Sequence, residues 1–179
     1  MSAETTQVHS RLLKCALELD DARAYWRFRA PDQPRADAAQ VFEEGWFGAR
    51  SLNRIKVLLT NFRARFDAFP AGLAVLHGWR GMDPDVRRVI AHWHLQLSDS
   101  LYRDFTSVWL VERRGALRAE LTRDQVVRWV TEYAPSRWTI STRVQFASKL
   151  LSSAFAAGLV GTNRDPRPVI VPPGPAAAL

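Results

Sequence analysis

The chain has 179 residues, 47% of them hydrophobic and seven of them tryptophan, so its composition excludes a disordered protein and favours a packed interior. Its single cysteine, Cys15, excludes an internal disulfide and a cysteine-based zinc site. The formal net charge of +7 favours a polyanionic partner.

The N-terminal residues and the hydropathy predict a cytoplasmic protein with no membrane contact. The opening run MSAETTQVHS contains an acidic residue and lacks the apolar stretch of a secretory signal. Elsewhere no run approaches the roughly 18 to 20 apolar residues that a membrane-spanning helix needs.

Positive charge is concentrated towards the two ends of the sequence. Residues 1–80 carry 12 basic and 9 acidic side chains, residues 81–134 carry 8 of each, and residues 135–179 carry 5 basic and 1 acidic. A neutral middle between two basic ends predicts a scaffold that presents two positive surfaces to a polyanion such as DNA.

The spacing of apolar residues predicts helices, and no strand, as far as Leu159, so we expect an all-α protein. In the first 80 residues the predicted helices cover about 5–28, 37–44 and 51–69, separated by the run RAPDQPRAD and by the glycines of GWFG. A short helix, a glycine turn and a longer helix make residues 37–69 a first helix-turn-helix candidate.

A long helix is predicted from Asp83 and Pro84 to about residue 114, with an interruption near Ser98. Thr122 and Gln125 fit a capping box at the start of the next helix. We therefore divide the chain into an N-terminal helical region (1–80), a central helical scaffold (81–120), a C-terminal helix-turn-helix (121–173) and a disordered tail (174–179).

The helix that follows the second turn has the pattern of a DNA-reading helix. With Ser141 as its N-cap, a helical wheel places the apolar residues, Phe155 among them, on one half, and Gln145, Ser148, Lys149, Ser152, Ser153 and Ala156 on the other. Short hydroxyl side chains allow close approach to a phosphate backbone, while glutamine and lysine reach base edges. The alternative is an ordinary solvated face on a core helix.

A short β-hairpin can follow this helix. After Gly158, the apolar runs 159–162 and 169–171 can pair around NRDPRP, which puts Arg164 and Arg167 at the tip. Helix, turn, helix and basic hairpin is the order of a winged helix, in which the second helix enters the major groove and the wing touches the backbone. A basic loop without a sheet would serve the same electrostatic purpose.

In the first helix-turn-helix candidate, basic residues lie at the start of the helix predicted over 51–69. The helix dipole also favours phosphate at that end. The alternative is an arginine-rich solvent face on a core helix. Over both candidates, the predicted DNA-contacting side chains are Arg50, Asn53, Arg54, Lys56, Arg137, Ser141, Arg143, Gln145, Ser148, Lys149, Arg164 and Arg167.

No sequence motif indicates catalysis. His92 and His94 are two residues apart, so on a helix they diverge and cannot share a metal ion. The motifs GxxxxGK[ST], GxGxxG, HExxH and GxSxG do not occur. We therefore expect a protein that is not an enzyme and needs no cofactor or metal.

Three stretches, ARSLNRIKVLLTNFRARF, LQLSDSLYRDFTSVWL and TISTRVQFASKLLSSAFAAGLV, resemble the BrxA family over about residues 10–171. Its members are small components of BREX phage-defence systems. The resemblance implies an all-α protein with helix-turn-helix elements that binds double-stranded DNA beside a methyltransferase, an ATPase and a phosphatase-like protein. It brings no catalytic residues and fixes no DNA-contacting positions.

The sequence thus predicts a monomeric accessory protein of a phage-defence system that binds double-stranded DNA. Two alternatives remain. The same helix-turn-helix elements can serve a protein-protein interaction adaptor, for which DNA affinity is incidental. A winged-helix transcriptional regulator is the other, and it requires a two-fold dimer on a symmetric operator.

Overall fold

The computed structural model describes residues 4–171, which are mostly helical, as predicted. In chain order the elements are α1 (Arg11–Lys14), α2 (Leu19–Phe28), α3 (Ala38–Glu43), α4 (Leu52–Phe62), a π-helical turn (Arg63–Asp67), α5 (Pro70–Gly78), α6 (Pro84–Ser98), α7 (Ser100–Asp104), a second π-helical turn (Phe105–Trp109), α8 (Leu110–Arg114), β1 (Glu120–Leu121), α9 (Arg123–Tyr133), α10 (Ile140–Ala156) and β2 (Arg167–Pro168).

The chain divides into two compact units. The N-terminal unit consists of Leu17–Ser98 with residues 4–6, and the C-terminal unit consists of residues 99–171 with Gln7–Ala16. These boundaries differ from the expected ones at residues 80 and 120, because α6 belongs to the first unit and α7 and α8 belong to the second. The tail predicted over 174–179 lies outside the described residues.

Aromatic packing forms the centre of the N-terminal unit. Tyr25 and Trp26 of α2 are buried: the Tyr25 ring centroid lies 5.5 Å from that of Phe62 and 5.9 Å from that of Phe66, and the Trp26 ring centroid lies 5.4 Å from that of Phe66. The Tyr25 hydroxyl donates a hydrogen bond of 2.6 Å to Asp67. Burying such rings stabilises a fold by several kcal/mol each, about 3–5 kcal/mol as judged by replacement with alanine.

The single helix predicted over 5–28 is wrong. Glu18 adopts φ = +49°, a left-handed conformation that a helix cannot contain, so α1 and α2 are separate. The helix predicted over 51–69 is regular only as far as Phe62, and the π-helical turn Arg63–Asp67 follows it. Sequence reasoning also missed α5, because apolar residues lie on all its sides and leave no stripe; Val75 is exposed while Leu73 and Leu76 are buried.

Several local expectations are confirmed. Pro84 begins α6, and the interruption near Ser98 is real, because the Asp99 carboxylate accepts a 2.9 Å hydrogen bond from the Tyr102 N–H and so caps a new helix. The capping box joins Thr122 and Gln125 in both directions at the start of α9. The turn after α3 contains Gly45 and Gly48, both at positive φ.

The C-terminal unit places a helix-turn-helix next to a small sheet. Helices α9 and α10 pack against each other, and α1 packs on α10. The two short strands β1 and β2 pair antiparallel, with Glu120 opposite Pro168 and Leu121 opposite Arg167. The expectation that no strand precedes Leu159 is therefore wrong: β1 has only two residues, too few to produce an alternating pattern.

Candidate nucleic-acid interface

Helix α10 begins two residues earlier than expected. Its N-cap is Thr139 and not Ser141, because Thr139 is the last extended residue and its hydroxyl accepts a 3.3 Å hydrogen bond from the Thr142 N–H. The Ser141 side chain is therefore on the first turn of the helix and exposed. In a helix-turn-helix protein, this first turn is where side chains reach base edges.

The outward face of α10 is polar, as predicted, but it is rotated relative to the predicted wheel. Ser141, Gln145 and Ser152 are exposed, and Ser148 and Lys149 are partly exposed. We call these five residues the α10 face. Its spacing of three and four residues is that of one helical stripe.

Two positions were assigned to the wrong side of α10. Ser153 is only 1% exposed, since it lies three residues after Leu150 and seven after Phe146, both of which are buried. Phe155 is 43% exposed, since it lies three residues after the exposed Ser152. The buried side of α10 therefore includes the small Ser153 side chain, while the Phe155 ring lies on the exposed side.

The α10 face lies in a part of the chain without acidic residues. Between Glu132 and Asp165 the sequence contains no Asp or Glu, while Arg143 and Lys149 are both on α10. The Arg143 guanidinium donates a hydrogen bond to the Pro135 carbonyl in the turn before the helix. This contact holds a positive charge beside the start of α10.

The predicted hairpin forms over a few residues, with one bridge between Val160 and Val169, and β2 pairs on its other side with β1. The Gly161 N–H donates to the Pro168 carbonyl and the Ile170 N–H to the Leu159 carbonyl, each over 2.9 Å, and Val169 donates to Ala119 over 2.7 Å. Residues 159–161 and 167–170 are therefore paired, and β1 covers the other edge of β2. Strand, helix, turn, helix and hairpin is the order of a winged helix.

The two arginines predicted at the hairpin tip have different environments. Arg164 is exposed in the turn. Arg167 is not at the tip: it lies in β2, pairs with Asp165 and donates a 2.8 Å hydrogen bond to the Asn163 carbonyl. Its side chain is 12% exposed, so it stabilises the turn and is poorly placed to contact phosphate. Burial, and then the nearby Arg123, lower the pKa of Arg167.

Sequence reasoning missed Arg123, which joins the wing to α10. Its backbone N–H donates a 2.9 Å hydrogen bond to the Asp165 carboxylate, and its guanidinium donates to the Ser148 hydroxyl on the α10 face. Arg123 is exposed, so its positive charge is accessible between the two elements. The only sequence signal was its place directly after the capping threonine, and this does not reveal the proximity of Ser148.

The turn between α9 and α10 fixes the position of Arg137. Its guanidinium donates to the Val8 carbonyl over 2.5 Å and lies 5.8 Å from the centroid of the Trp138 ring. The Trp138 ring packs on Phe146 with centroids 4.2 Å apart. Trp138 therefore anchors the turn to the core and does not stand free as a base-stacking platform.

The basic start of α4 meets acidic side chains at the start of α2, one of them from its N-cap residue Glu18. Arg50 lies 3.4 Å from the Asp21 carboxylate and Arg54 lies 2.9 Å from that of Glu18. Burial raises the pKa of Asp21, and the neighbouring Arg50 opposes this rise. Asn53 and Lys56 are exposed nearby. The sequence run around α4 is free of acids, but its folded environment is not.

Two further arginines of that region serve the fold. Arg63 donates a 2.6 Å hydrogen bond to the Ala36 carbonyl. Arg65 is buried, donates to the Leu17 carbonyl over 3.3 Å and lies against the rings of Phe62 and Phe66. Their charges are therefore used inside the N-terminal unit.

The net positive charge is distributed unequally between the two folded units, whereas along the sequence it is concentrated at both ends. The N-terminal unit carries 12 basic and 11 acidic side chains, and the C-terminal unit carries 13 and 7. Six of the seven surplus positive charges therefore belong to the C-terminal unit. A positive surface for a polyanion is consequently expected there first.

No metal site is formed within residues 4–171, where no group of three His, Cys, Asp or Glu side chains is placed to hold an ion. His94 lies in the core, with its ring centroid 4.9 Å from that of Phe66 and its Nδ1 3.3 Å from the Arg65 carbonyl oxygen. Burial lowers the pKa of His94. The described helices include none that is long and apolar enough to cross a membrane.

No family model, curated protein or solved structure matches this chain. The assignment of a function therefore depends on the residues and the geometry described above.

Proposed function

We propose that this chain is a non-enzymatic protein that binds double-stranded DNA through the winged helix-turn-helix of its C-terminal unit. One observation carries the proposal: the polar, acid-free α10 face lies in the order strand, helix, turn, helix and hairpin, with cations on both sides of it. In winged-helix proteins the helix in the position of α10 enters the major groove.

The side chains of the α10 face fit this placement. Ser141, Ser148 and Ser152 are short enough to let the helix approach the sugar-phosphate backbone closely. Gln145 is exposed at the middle of the stripe and has the amide that can bond adenine in two places. Because Gln145 is the one side chain of the α10 face with such an amide, we expect the protein to show a weak preference for DNA sequence. Its affinity for DNA should come mainly from phosphate contacts.

Four cations lie on or beside the α10 face: Lys149 on the face itself, Arg143 elsewhere on α10, Arg123 before it and Arg164 in the wing. If each neutralises one phosphate, the logarithm of the binding constant falls with the logarithm of salt concentration with a slope of about −3.6, that is about −0.9 for each phosphate. Arg167 is excluded from this count because it pairs with Asp165 and its side chain is only 12% exposed, and Arg137 because it lies in the turn before α10, where Val8 and the Trp138 ring both hold its guanidinium.

A pair of exposed polar residues provides the test. Gln145→Glu with Ser152→Glu adds two negative charges to the α10 face without removing a buried group, and should weaken binding to a 20-base-pair duplex at least about tenfold in about 50 mM salt. The matched control is Ala71→Glu with Val75→Glu on α5, where both residues are exposed in the N-terminal unit. Equal losses from both pairs, measured by fluorescence anisotropy, would contradict the proposal.

We extend the proposal to the cellular role that the BrxA resemblance implies, an accessory protein of a BREX-type phage-defence system. It then acts beside a methyltransferase, an ATPase and a phosphatase-like protein. Co-purification of the tagged chain with such partners, from cells that carry the neighbouring genes, tests this extension separately from DNA binding.

A protein-protein interaction adaptor is the second candidate, and exposed apolar residues favour it. Ile140 and Phe155 lie towards opposite ends of α10 and are 77% and 43% exposed. Ile140→Ser with Phe155→Ser should leave duplex affinity within about twofold and abolish partner capture if α10 docks on a protein through these side chains. Loss of duplex affinity with retained partner capture would remove this candidate.

A further inference from the structure

The N-terminal unit contains a cleft that the proposed DNA-binding surface does not use. It has a volume of about 590 Å³ and is lined by Asp20, Arg23, Ala24, Arg27, Phe28, Gly45, Trp46, His77 and Arg80. Protein sites for small molecules have volumes of about 300–1,000 Å³. The lining combines three arginines, one carboxylate and two aromatic rings.

The arginines converge because Arg23 organises them. Its guanidinium donates hydrogen bonds to the carbonyls of Trp79 (2.8 Å) and Arg80 (3.3 Å), which draws the segment after α5 to the side of α2. Arg27 lies one helical turn after Arg23 on α2. Burial lowers the pKa of Arg23, and so do the positive charges of Arg87, Arg27 and Arg80.

This positive charge is not neutralised by neighbouring carboxylates. Within the described part of the chain, Arg23, Arg27 and Arg80 form no salt bridge, in contrast to Arg50 and Arg54. Buried atom Nη1 of Arg23 also has no hydrogen-bond partner among residues 4–171. An anionic ligand such as a phosphate would satisfy this donor and reduce the repulsion.

An aromatic wall lies beside the arginines. The rings of Phe28 and Trp46 are stacked, with centroids 5.5 Å apart and planes at 17°, and the Arg27 guanidinium lies 5.3 Å from the Phe28 centroid. The Trp46 indole N–H is held by the Glu44 carboxylate at 2.6 Å. Phe28 is 39% exposed, so part of its ring offers apolar surface to a planar ligand.

We propose that this cleft binds a nucleoside diphosphate or a closely related nucleotide. Arg23, Arg27 and Arg80 hold the phosphates, and Phe28 stacks on the base. Asp20, the one carboxylate in the lining, repels phosphate but can accept hydrogen bonds from ribose hydroxyls. The arginines thus match the phosphates of a nucleotide, the Asp20 carboxylate matches the ribose hydroxyls, and the Phe28 ring matches the base.

Calorimetric titration of the full-length protein tests the proposal with ADP, pyrophosphate and adenosine. We expect ADP to bind at least about tenfold more tightly than either fragment, because each fragment lacks one set of contacts. No heat with ADP up to about 1 mM, adenosine binding as tightly as ADP, or pyrophosphate binding as tightly as ADP would each overturn the proposal.

Two variants separate the parts of the site. Arg27→Glu with Arg80→Glu should weaken ADP at least about tenfold, while Arg118→Glu with Arg128→Glu, exposed arginines of the C-terminal unit with the same change in charge, should alter it less than about twofold. Phe28→Ala should weaken ADP but not pyrophosphate. Melting curves must show a folded protein in each case, and a folded Arg27/Arg80 variant with unchanged ADP affinity would overturn the proposal. Displacement of ADP by a short single-stranded oligonucleotide would also overturn it, since the site would then take a strand.

Discussion

The two units of this protein contain almost the same number of basic side chains, 12 and 13, but use them differently. In the N-terminal unit, the acidic residues Glu18 and Asp21 at the start of α2 meet the basic start of α4, and Arg63 and Arg65 donate hydrogen bonds to backbone carbonyls. In the C-terminal unit, α10 and its flanking turns contain no acid. The comparison teaches that basic residues can form a binding surface only where folding does not pair their side-chain charges with carboxylates.

The same comparison distinguishes two kinds of positive site. Around α10 the cations border a convex helix face, which suits a groove of DNA. On α2, Arg23 and Arg27 line a concave cleft, which suits a small ligand. We therefore expect changes in one unit to affect duplex binding and changes in the other to affect nucleotide binding.

The largest expected effect comes from reversing charges beside the α10 face. Arg143→Glu with Lys149→Glu should weaken duplex binding about 100-fold in about 50 mM salt, since each lost phosphate contact is worth about tenfold there. Arg50→Glu with Arg54→Glu should weaken it less than about threefold, because both arginines are paired with acids. Fluorescence anisotropy, with circular dichroism to verify folding, measures both. Similar losses from the two pairs would mean that the units do not differ in DNA contact.

A smaller effect is expected from Arg123, the residue that joins the wing to α10. Arg123→Ala should weaken duplex binding about tenfold in about 50 mM salt and make the salt-dependence slope less negative by about 0.9. Arg128→Ala, an exposed arginine further along α9, is the matched control. An unchanged slope for Arg123→Ala would show that this arginine does not contact phosphate.

Helix caps provide a comparison of stability between the units. Thr122→Ala removes the capping box of α9 and should lower the free energy of unfolding by about 1 kcal/mol. Asp37→Ala, which removes the cap of α3, should cost a similar amount. Only Thr122→Ala is expected to reduce duplex binding as well, because α9 supports α10 and Arg123. Urea titration and anisotropy distinguish the two outcomes.

The smallest effect concerns pH and the N-terminal unit. Burial lowers the pKa of His94, so the folded protein binds this proton less readily than the unfolded chain does. The contribution of His94 to stability is complete above about pH 6.5 and declines as the pH falls below that value, by less than about 1 kcal/mol at about pH 6. His94→Phe, which keeps a ring beside Phe66, should show a shallower loss of melting temperature between about pH 7.5 and about pH 5.5. A loss as steep as that of the unmodified protein would contradict this assignment.

Much of the fold could be predicted from periodicity and local chemistry. Caps such as Thr122 with Gln125, the start at Pro84 and the interruption near Ser98 are encoded within a few neighbouring residues. Helix α5 and strand β1 could not be predicted, because one lacks an apolar stripe and the other has two residues. The break at Glu18 could not be predicted either, because its left-handed backbone interrupts a sequence pattern that is otherwise helical.

The candidate site was only partly predictable for a related reason. The helical wheel found Gln145, Ser148 and Ser152, because one helix determines its own face. It could not find the pairing of Arg50 with Asp21 or the bond from Arg123 to Ser148, which join residues far apart in sequence. Charge counted along the chain therefore suggested two DNA surfaces, whereas charge counted by folded unit favours one.

Photocrosslinking tests most directly whether the α10 face contacts a duplex. The one native cysteine, Cys15, is buried, so the thiol introduced by Gln145→Cys can be labelled selectively with a photoreactive aryl azide. The control is Val75→Cys on α5, at a position that is 63% exposed. We predict that irradiation with a duplex joins DNA to the protein labelled at position 145 and not to that labelled at position 75. Equal crosslinking at both positions, or none at position 145 while the duplex is bound, would contradict the account.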